Sequence, residues 1–201
     1  MKKTKRDKRL HLSTVRMLLI SLAIMVFAFN IAFTSAWASH MDLVESTAST
    51  DVFKTLDLET LDGDRFTSEN LKDARITFFN VWGTTCAPCI LEMPELEELS
   101  HSYPEGELQI VGMLDDSLNS QGERLESNLE QARKLCEKSG VTYPTLILDE
   151  NTYAFMSSAI AGTPTTFFVD QNGDIILIVT GSNGLDEWKA YVDGALSKVS
   201  Q

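Results

Sequence analysis

Three cysteines occur in this 201-residue chain, and two of them, Cys86 and Cys89, are separated only by Ala87 and Pro88. Thiols at that spacing can exchange a disulfide with another molecule, share a metal, or form a fixed bridge. Exchange needs one thiolate to attack and a second sulfur close enough to release the mixed disulfide. Two intervening residues in the first turn of a helix bring both sulfurs within bonding reach. The unpaired N–H groups and partial positive charge of the helix N-terminus then favour a thiolate on the first. Pro88 suits that turn, because its missing N–H would have had no helical partner there. Cys86 is accordingly the expected exposed nucleophile and Cys89 the shielded resolving thiol. A metal pair would need more ligands, but His11, His40 and His101 are scattered and no second Cys or His pair is present. A permanent bridge between such near neighbours closes a tiny loop and constrains the unfolded chain little. Redox exchange is the reading these residues favour.

Positioning the pair requires a strand that ends just before it and a helix that begins at it. Arg75–Trp82, RITFFNVW, is a β-branched and aromatic run that predicts a buried central strand. Beyond the pair, Cys89, Met93, Leu96, Ser100 and Tyr103 recur along one helical face. Residues 52–67 predict two short extended stretches around Leu61-Asp62-Gly63-Asp64, where Asp-Gly signals a hairpin, and Ser68 can cap a short helical turn. Leu108–Leu114 predicts a second buried strand. Residues 125–139 predict a helix with the stripe Leu125, Leu129, Ala132 and Cys136, capped by Gly140. Thr145–Leu148 reads as a short strand and Thr152–Ile160 as a short helix. Thr165–Val169 and Asp174–Thr180 flank Asp170-Gln171-Asn172-Gly173 as a hairpin, and Leu185–Val199 closes the chain as an amphipathic helix. Strand–helix alternation followed by a hairpin and a last helix implies a mixed α/β sheet covered on both faces. Cys136, on its helix's apolar stripe, is expected to be a buried core thiol.

Charge is very uneven. Residues 1–16 hold seven of the 17 basic residues and one of the 29 acidic ones, leaving 10 basic against 28 acidic in the remainder. Such acidity argues against nucleic acid and against docking of the domain on an anionic membrane. The basic start is followed by the 17-residue apolar run Met17–Phe33, an export signal with its Lys/Arg end held in the cytoplasm. The run is longer than the ~7–15 residues of a cleavable core and reaches the ~17–25 that span a bilayer. Ala36 and Ala38 nevertheless offer a cleavage pattern. Residues 1–38 are therefore a signal peptide or a membrane anchor, with the length favouring the anchor. Residues 39–50 are a polar tether and 51–201 one domain outside the cytoplasm, attached through residues 17–33 or released after cleavage near Ala38.

The run Phe79-Asn80-Val81-Trp82-Gly83-Thr84-Thr85-Cys86-Ala87-Pro88-Cys89 resembles the active-site strand and loop of thioredoxins, and more closely their extracytoplasmic TlpA/ResA-like branch. Pro94 inside the first helix, Gly162-Thr163-Pro164-Thr165-Thr166-Phe167, and an extra helix–strand unit at about 125–149 match that branch as well. Over residues 50–199 the resemblance implies a thioredoxin fold with an N-terminal β-hairpin and a central helix–strand insertion. It also implies a cis Thr163–Pro164 bond and a client-binding surface of Trp82, Thr163 and Pro164, with Thr163 offering backbone groups to an extended substrate strand. Thioredoxins carry a buried Asp six residues before the first Cys, where this chain has Asn80. The branch instead carries a Glu three residues after the second Cys, and Glu92 stands there as the implied proton shuttle. The tryptophan common just before the first Cys is replaced by Thr85, which makes the rim more polar.

The resemblance implies an enzyme, without cofactor or metal, that reduces disulfides of exported proteins. Apocytochrome c, or a repair enzyme such as a methionine sulfoxide reductase, would be possible clients. Its electron donor would be a membrane thiol carrier of the CcdA/DsbD type. The domain would act as a monomer that touches the membrane only through its N-terminal segment. The alternatives are an oxidant that inserts disulfides, which shares the fold and differs in potential, and a thioredoxin-fold metal chaperone, which lacks the histidine ligand it would need. A peroxidase fits poorly, since its nucleophile needs no partner two residues away.

Overall fold

The computed structural model describes residues 50–199. The basic leader, the apolar run 17–33, the Ala38 junction and the tether up to residue 49 lie outside the described residues. Among the described residues, no helix is long and apolar enough to cross a membrane. The elements are β1 (Asp57–Thr60), β2 (Arg65–Thr67), β3 (Ile76–Trp82), α1 (Ala87–Ser100), β4 (Leu108–Leu114), α2 (Glu126–Ser139), β5 (Thr145–Ile147), α3 (Glu150–Ala159), β6 (Thr165–Asp170), β7 (Ile175–Thr180) and α4 (Leu185–Val199). The seven strands form one mixed sheet in the order β2-β1-β5-β4-β3-β6-β7.

Strand β3 lies inside the sheet, parallel to β4 and antiparallel to β6, and every residue of it is buried. Its alternating side chains feed two apolar layers. Phe79 and Val81 face a layer with Phe53, Val111, Met156 and Phe167. Ile76 and Phe78 face the opposite side with Leu96 and Leu99 of α1 and Trp188 and Val192 of α4. A third cluster at the strand's end joins Trp82 to Cys89, Met93, Leu114 and, from α2, Leu129 and Ala132. Polar residues on this strand are therefore confined to positions with partners, which matters for Asn80 below.

The β1–β2 hairpin pairs Leu58 with Phe66 around the Asp62-Gly63 turn and extends the sheet by antiparallel pairing of β1 with β5. The helix–strand insertion is α2 followed by β5, which lies parallel to β4. Gly140 ends α2 in the left-handed conformation at φ 73°, which most side chains avoid.

Some boundaries differ from the sequence expectation, for local reasons. Residues 52–55 are not extended but belong to a 3-10 turn, Thr50–Thr55. Phe53, stacked 4.8 Å from Phe79 and 5.6 Å from Phe167, draws the segment across the sheet instead of along it. The turn Ser68–Asp73 is capped by Thr67 rather than Ser68, with the Thr67 N–H donating to Asn70 Oδ1 at 2.9 Å. Leu125 is the residue before α2, not part of its buried stripe. Helix α3 starts at Glu150, two residues before the expected Thr152, because Asp149 Oδ1 accepts from the Thr152 N–H at 2.8 Å and caps it. Tyr103 lies beyond the end of α1, where its hydroxyl donates to Asp193 Oδ1 of α4 at 2.8 Å.

Strand β4 passes β5 closely at Gly112, whose N–H donates to Pro144 O at 2.8 Å. A Cβ there would come within 2.5 Å of Thr145 Oγ1 and 3.0 Å of Trp82 Nε1. Both neighbours are buried and held by strands, so neither can swing away. We expect Gly112→Ala to lower stability by about 1–3 kcal/mol, the cost of overpacking a filled core. The shift of the urea unfolding midpoint at unchanged slope measures it.

Candidate active site

Cys86 and Cys89 are joined by a disulfide, with Cα atoms 5.3 Å apart. Cys86 is the N-cap of α1 and Pro88 sits in its first turn. The Cys89 N–H donates to Cys86 Sγ at 3.3 Å, so one orphan donor of the helix start already points at this sulfur. Cys86 is half-buried and Cys89 is 0 % exposed. Only the first sulfur is open to attack from solvent. Leu91, two residues into the helix beyond Cys89, is 78 % exposed and gives the approach an apolar shoulder.

The loop before Cys86 is tied down from two elements. Asp116 Oδ2, just past β4, accepts from the Thr84 N–H at 2.9 Å and the Thr84 hydroxyl at 2.6 Å. Gln131 of α2 donates to Thr84 O at 3.2 Å, and Asn128 donates to Asp116 O at 2.9 Å. The inserted helix thus braces the loop that presents the cysteines. Beside Asp116, burial and then the neighbouring charge push the Asp115 carboxyl up to about 6. Sequence reading missed both aspartates; the available signal was two carboxylates in succession at the end of the strand beside the Cys-x-x-Cys strand.

Glu92 lies one turn beyond Cys89 on the inward side of α1 and is 4 % exposed, whereas Glu95 and Glu98 are exposed. Glu97 is half-buried and occupied by Thr142 and His101. Asn80 Nδ2 donates to Glu92 Oε1 at 3.1 Å and to Thr166 Oγ1 at 3.2 Å, linking α1, β3 and β6 beneath the helix. Burial pushes the Glu92 carboxyl up to about 7, against the opposing pull of the Asn80 amide. A buried carboxyl that titrates there can take up or release a proton near neutrality.

The Thr163–Pro164 peptide is cis. Pro164 precedes the register pair Val81↔Thr165 and therefore flanks the end of β3 from which the cysteine loop departs. Thr163 is half-buried. Trp82, expected on the client surface, is instead 1 % exposed. It packs with Cys89, Met93 and Leu114 as a floor beneath the disulfide, because the inward alternation of β3 turns it toward α1. Cys136, expected in the core, is only half-buried at the margin of that same cluster, where burial pushes its thiol pKa up. Among the described residues no cluster of His, Cys, Asp and Glu is arranged to hold a metal ion.

A mixed sheet that launches a helix headed by a solvent-reachable disulfide defines a thioredoxin-fold thiol–disulfide oxidoreductase. The model of the AhpC/TSA family matches residues 50–178, and the chain belongs to that family. It is similar to the thiol-disulfide oxidoreductase ResA of Geobacillus thermodenitrificans, at 29% identity over 189 residues covering 94% of this chain and 97% of the relative. It is also similar to the thiol:disulfide interchange protein HelX of Rhodobacter capsulatus, at 28% identity over 116 residues, 58% of each chain. Among solved structures, a thiol:disulfide interchange protein of Chlorobium tepidum has TM-score 0.58 at 23% identity, covering 71% of this chain and 93% of that one. MTB dsbF has TM-score 0.56 at 22% identity, covering 72% and 97%. The fold is theirs, and within its family the chain is a TlpA/ResA-like thioredoxin-type redox enzyme.

The Glu92 environment has a consequence for stability. Its carboxyl titrates at about 7 in the fold against 4.5 unfolded, so between those values the native state holds a proton that the unfolded chain has released. Stability therefore falls as pH rises through that window and levels off above it. Asp115 acts in the same direction at lower pH. Comparing wild type with Glu92→Gln isolates the first contribution. We expect the variant to gain on wild type by about 3 kcal/mol between pH 4 and pH 8, read by urea unfolding across that range.

Proposed function

We propose that this enzyme works outside the cytoplasm as a reductant of disulfides in exported proteins. The observation that carries the reading is the asymmetry of the two sulfurs. Cys86 is reachable at a helix N-cap, and Cys89 is sealed one turn inside. In the dithiol form, the Cys86 thiolate attacks one sulfur of a client disulfide, and the client's other sulfur leaves as a thiolate that takes a proton. Cys89 then gives its proton to Glu92 and attacks Cys86 Sγ. The Cys86–Cys89 bond forms, the mixed disulfide breaks, and the client departs as a dithiol carrying two electrons. A membrane thiol carrier of the CcdA/DsbD type returns two electrons to restore the pair.

The surroundings of Cys86 support this direction. Ala87 and Pro88 bring neither charge nor imidazole beside it. A thiolate without such help is only moderately stabilised, and moderate stabilisation of the reduced form keeps the potential low. Thr163 at the head of the Pro164 loop is the group that pairs its backbone with an extended client segment. The basic leader and the apolar run 17–33 supply export and attachment, or export followed by cleavage near Ala38, and residues 39–50 tether the domain. Clients of this chemistry include apocytochrome c before haem attachment and a repair enzyme such as a methionine sulfoxide reductase. The domain works as a monomer, because one chain carries every residue of the exchange.

Two measurements test the reading. The reduction potential of the Cys86–Cys89 couple is expected near −270 mV, the thioredoxin end of the scale; a value near −120 mV would make the enzyme an oxidant. Cys89→Ser, which keeps the attacking sulfur and removes the resolving one, is expected to accumulate a mixed disulfide with exported proteins on non-reducing gels. Cys86→Ser should not. Equal trapping by both variants would dissolve the assignment of roles.

A further inference from the structure

Glu92 makes its one hydrogen bond of good geometry through Oε1, to the Asn80 amide. Its other oxygen, Oε2, is buried with no partner, and so is the indole Nε1 of Trp188. These are complementary groups, an acceptor and a donor. The indole N–H lies near the carboxyl and favours its charged form, although the pair falls outside strict hydrogen-bond geometry. Trp188 is 0 % exposed and its ring is locked, 5.0 Å from Phe78 in a T-shaped arrangement and 5.8 Å from Tyr191. Its N–H therefore cannot turn to solvent. A phenylalanine or leucine would fill this core position without a buried donor to satisfy, and an unsatisfied one costs about 1–3 kcal/mol. The apolar layer has no use for the indole nitrogen; the carboxyl does.

We propose that Trp188, from the C-terminal helix α4, is a positioning residue for Glu92, holding the free oxygen of the carboxyl and stabilising its charged state so that it can accept the Cys89 proton. This rests on the part given to Glu92 above. The carboxyl is then gripped from two sides, by Asn80 of β3 and by Trp188 of α4. The backbone of Asn183, in the loop before α4, adds a third favourable dipole. The other polar groups around it are the Glu95 carboxyl on α1, which opposes its charge, the Tyr143 phenol in the segment before β5, and the Thr166 hydroxyl behind Asn80. None of them is a cation, so the Asn80 amide, the Asn183 backbone and the Trp188 indole are what counter burial. The helix farthest along the chain thus sets the pH range in which the first helix works.

The test is the pH dependence, from 5 to 9, of the single-turnover rate at which the pre-reduced protein reduces insulin disulfides. Four proteins are compared: wild type, Trp188→Phe, Glu92→Gln and the double variant. Wild type should show an inflection near 7 that Glu92→Gln removes. Trp188→Phe should move it upward by about one pH unit, the loss of one hydrogen bond to a charged group. The same change in the Glu92→Gln background should move nothing. An unshifted inflection in folded Trp188→Phe, with Glu92→Gln still abolishing it, overturns the role of Trp188 and leaves Glu92 in place. An inflection that survives Glu92→Gln overturns both. A measurement on unaltered sequence covers the case of a variant that fails to fold. In the 15N-labelled wild-type protein, the Trp188 indole resonance should titrate with the midpoint of the rate, and an indole signal constant across that range refutes the contact.

Discussion

Everything in this molecule depends on one placement: the N-terminus of a helix at the end of a strand buried on both faces. The strand fixes where the loop leaves the sheet, and the helix fixes what its first residues meet. Cys86 as the N-cap keeps a sulfur at the surface while the Cys89 N–H bonds to it. Cys89, three residues later, falls on the inward side by helical geometry alone. The difference in exposure between the two thiols thus begins with the backbone, and the side chains around Cys89 complete it. The braces on Thr84 from Asp116 and Gln131 serve the same placement, since a loop free to drift would uncouple the strand from the helix.

A second constraint follows from burying an acid beneath that helix. A lone carboxylate in an apolar layer is expensive, and it survives by accepting hydrogen bonds and by holding a proton near neutrality. Asn80 explains how this chain manages with one such group. An aspartate at that position would set a second carboxyl in contact with Glu92, and two like charges that close cannot both ionise. With an amide there, the strand supplies a donor and leaves the titration to the helix. With the titrating carboxyl on the helix rather than on the strand, it lies one turn from Cys89.

Most of this architecture was legible in the chain. The run Arg75–Trp82, the Cys-x-x-Cys pattern and the helical spacing after it are strong local signals, and β4 and α4 fall at their predicted bounds. What escaped had its cause in tertiary contact. Phe53 bends its segment into a 3-10 turn only because Phe79 and Phe167 are there to receive it. Resemblance alone puts Trp82 on the client surface, and the alternation of β3, anchored by its partners, turns it inward. Of four glutamates in α1, spacing placed Glu92 one turn from Cys89 but could not tell that it alone loses its water; the packing of α4 decides that. Asp115, Asp116 and Trp188 carried no motif, since their relevance lies in reaching an element distant in sequence.

The acids near the site bear on the direction of electron flow. A helix N-terminus lowers a thiol's pKa and so stabilises the reduced form, which raises the potential. Negative charge close by does the reverse. Asp116 grips the residue two before Cys86, Asp115 stands beside it, and Glu92 lies one turn beyond Cys89. When ionised, all three oppose a thiolate, and the sequence offers no cation between the cysteines to offset them. The helix dipole favours a thiolate, and the acids, when ionised, limit how far it is stabilised. A couple balanced in this way would have a lower potential than one with a cation beside the thiolate, which is what supports the proposed reductant reading.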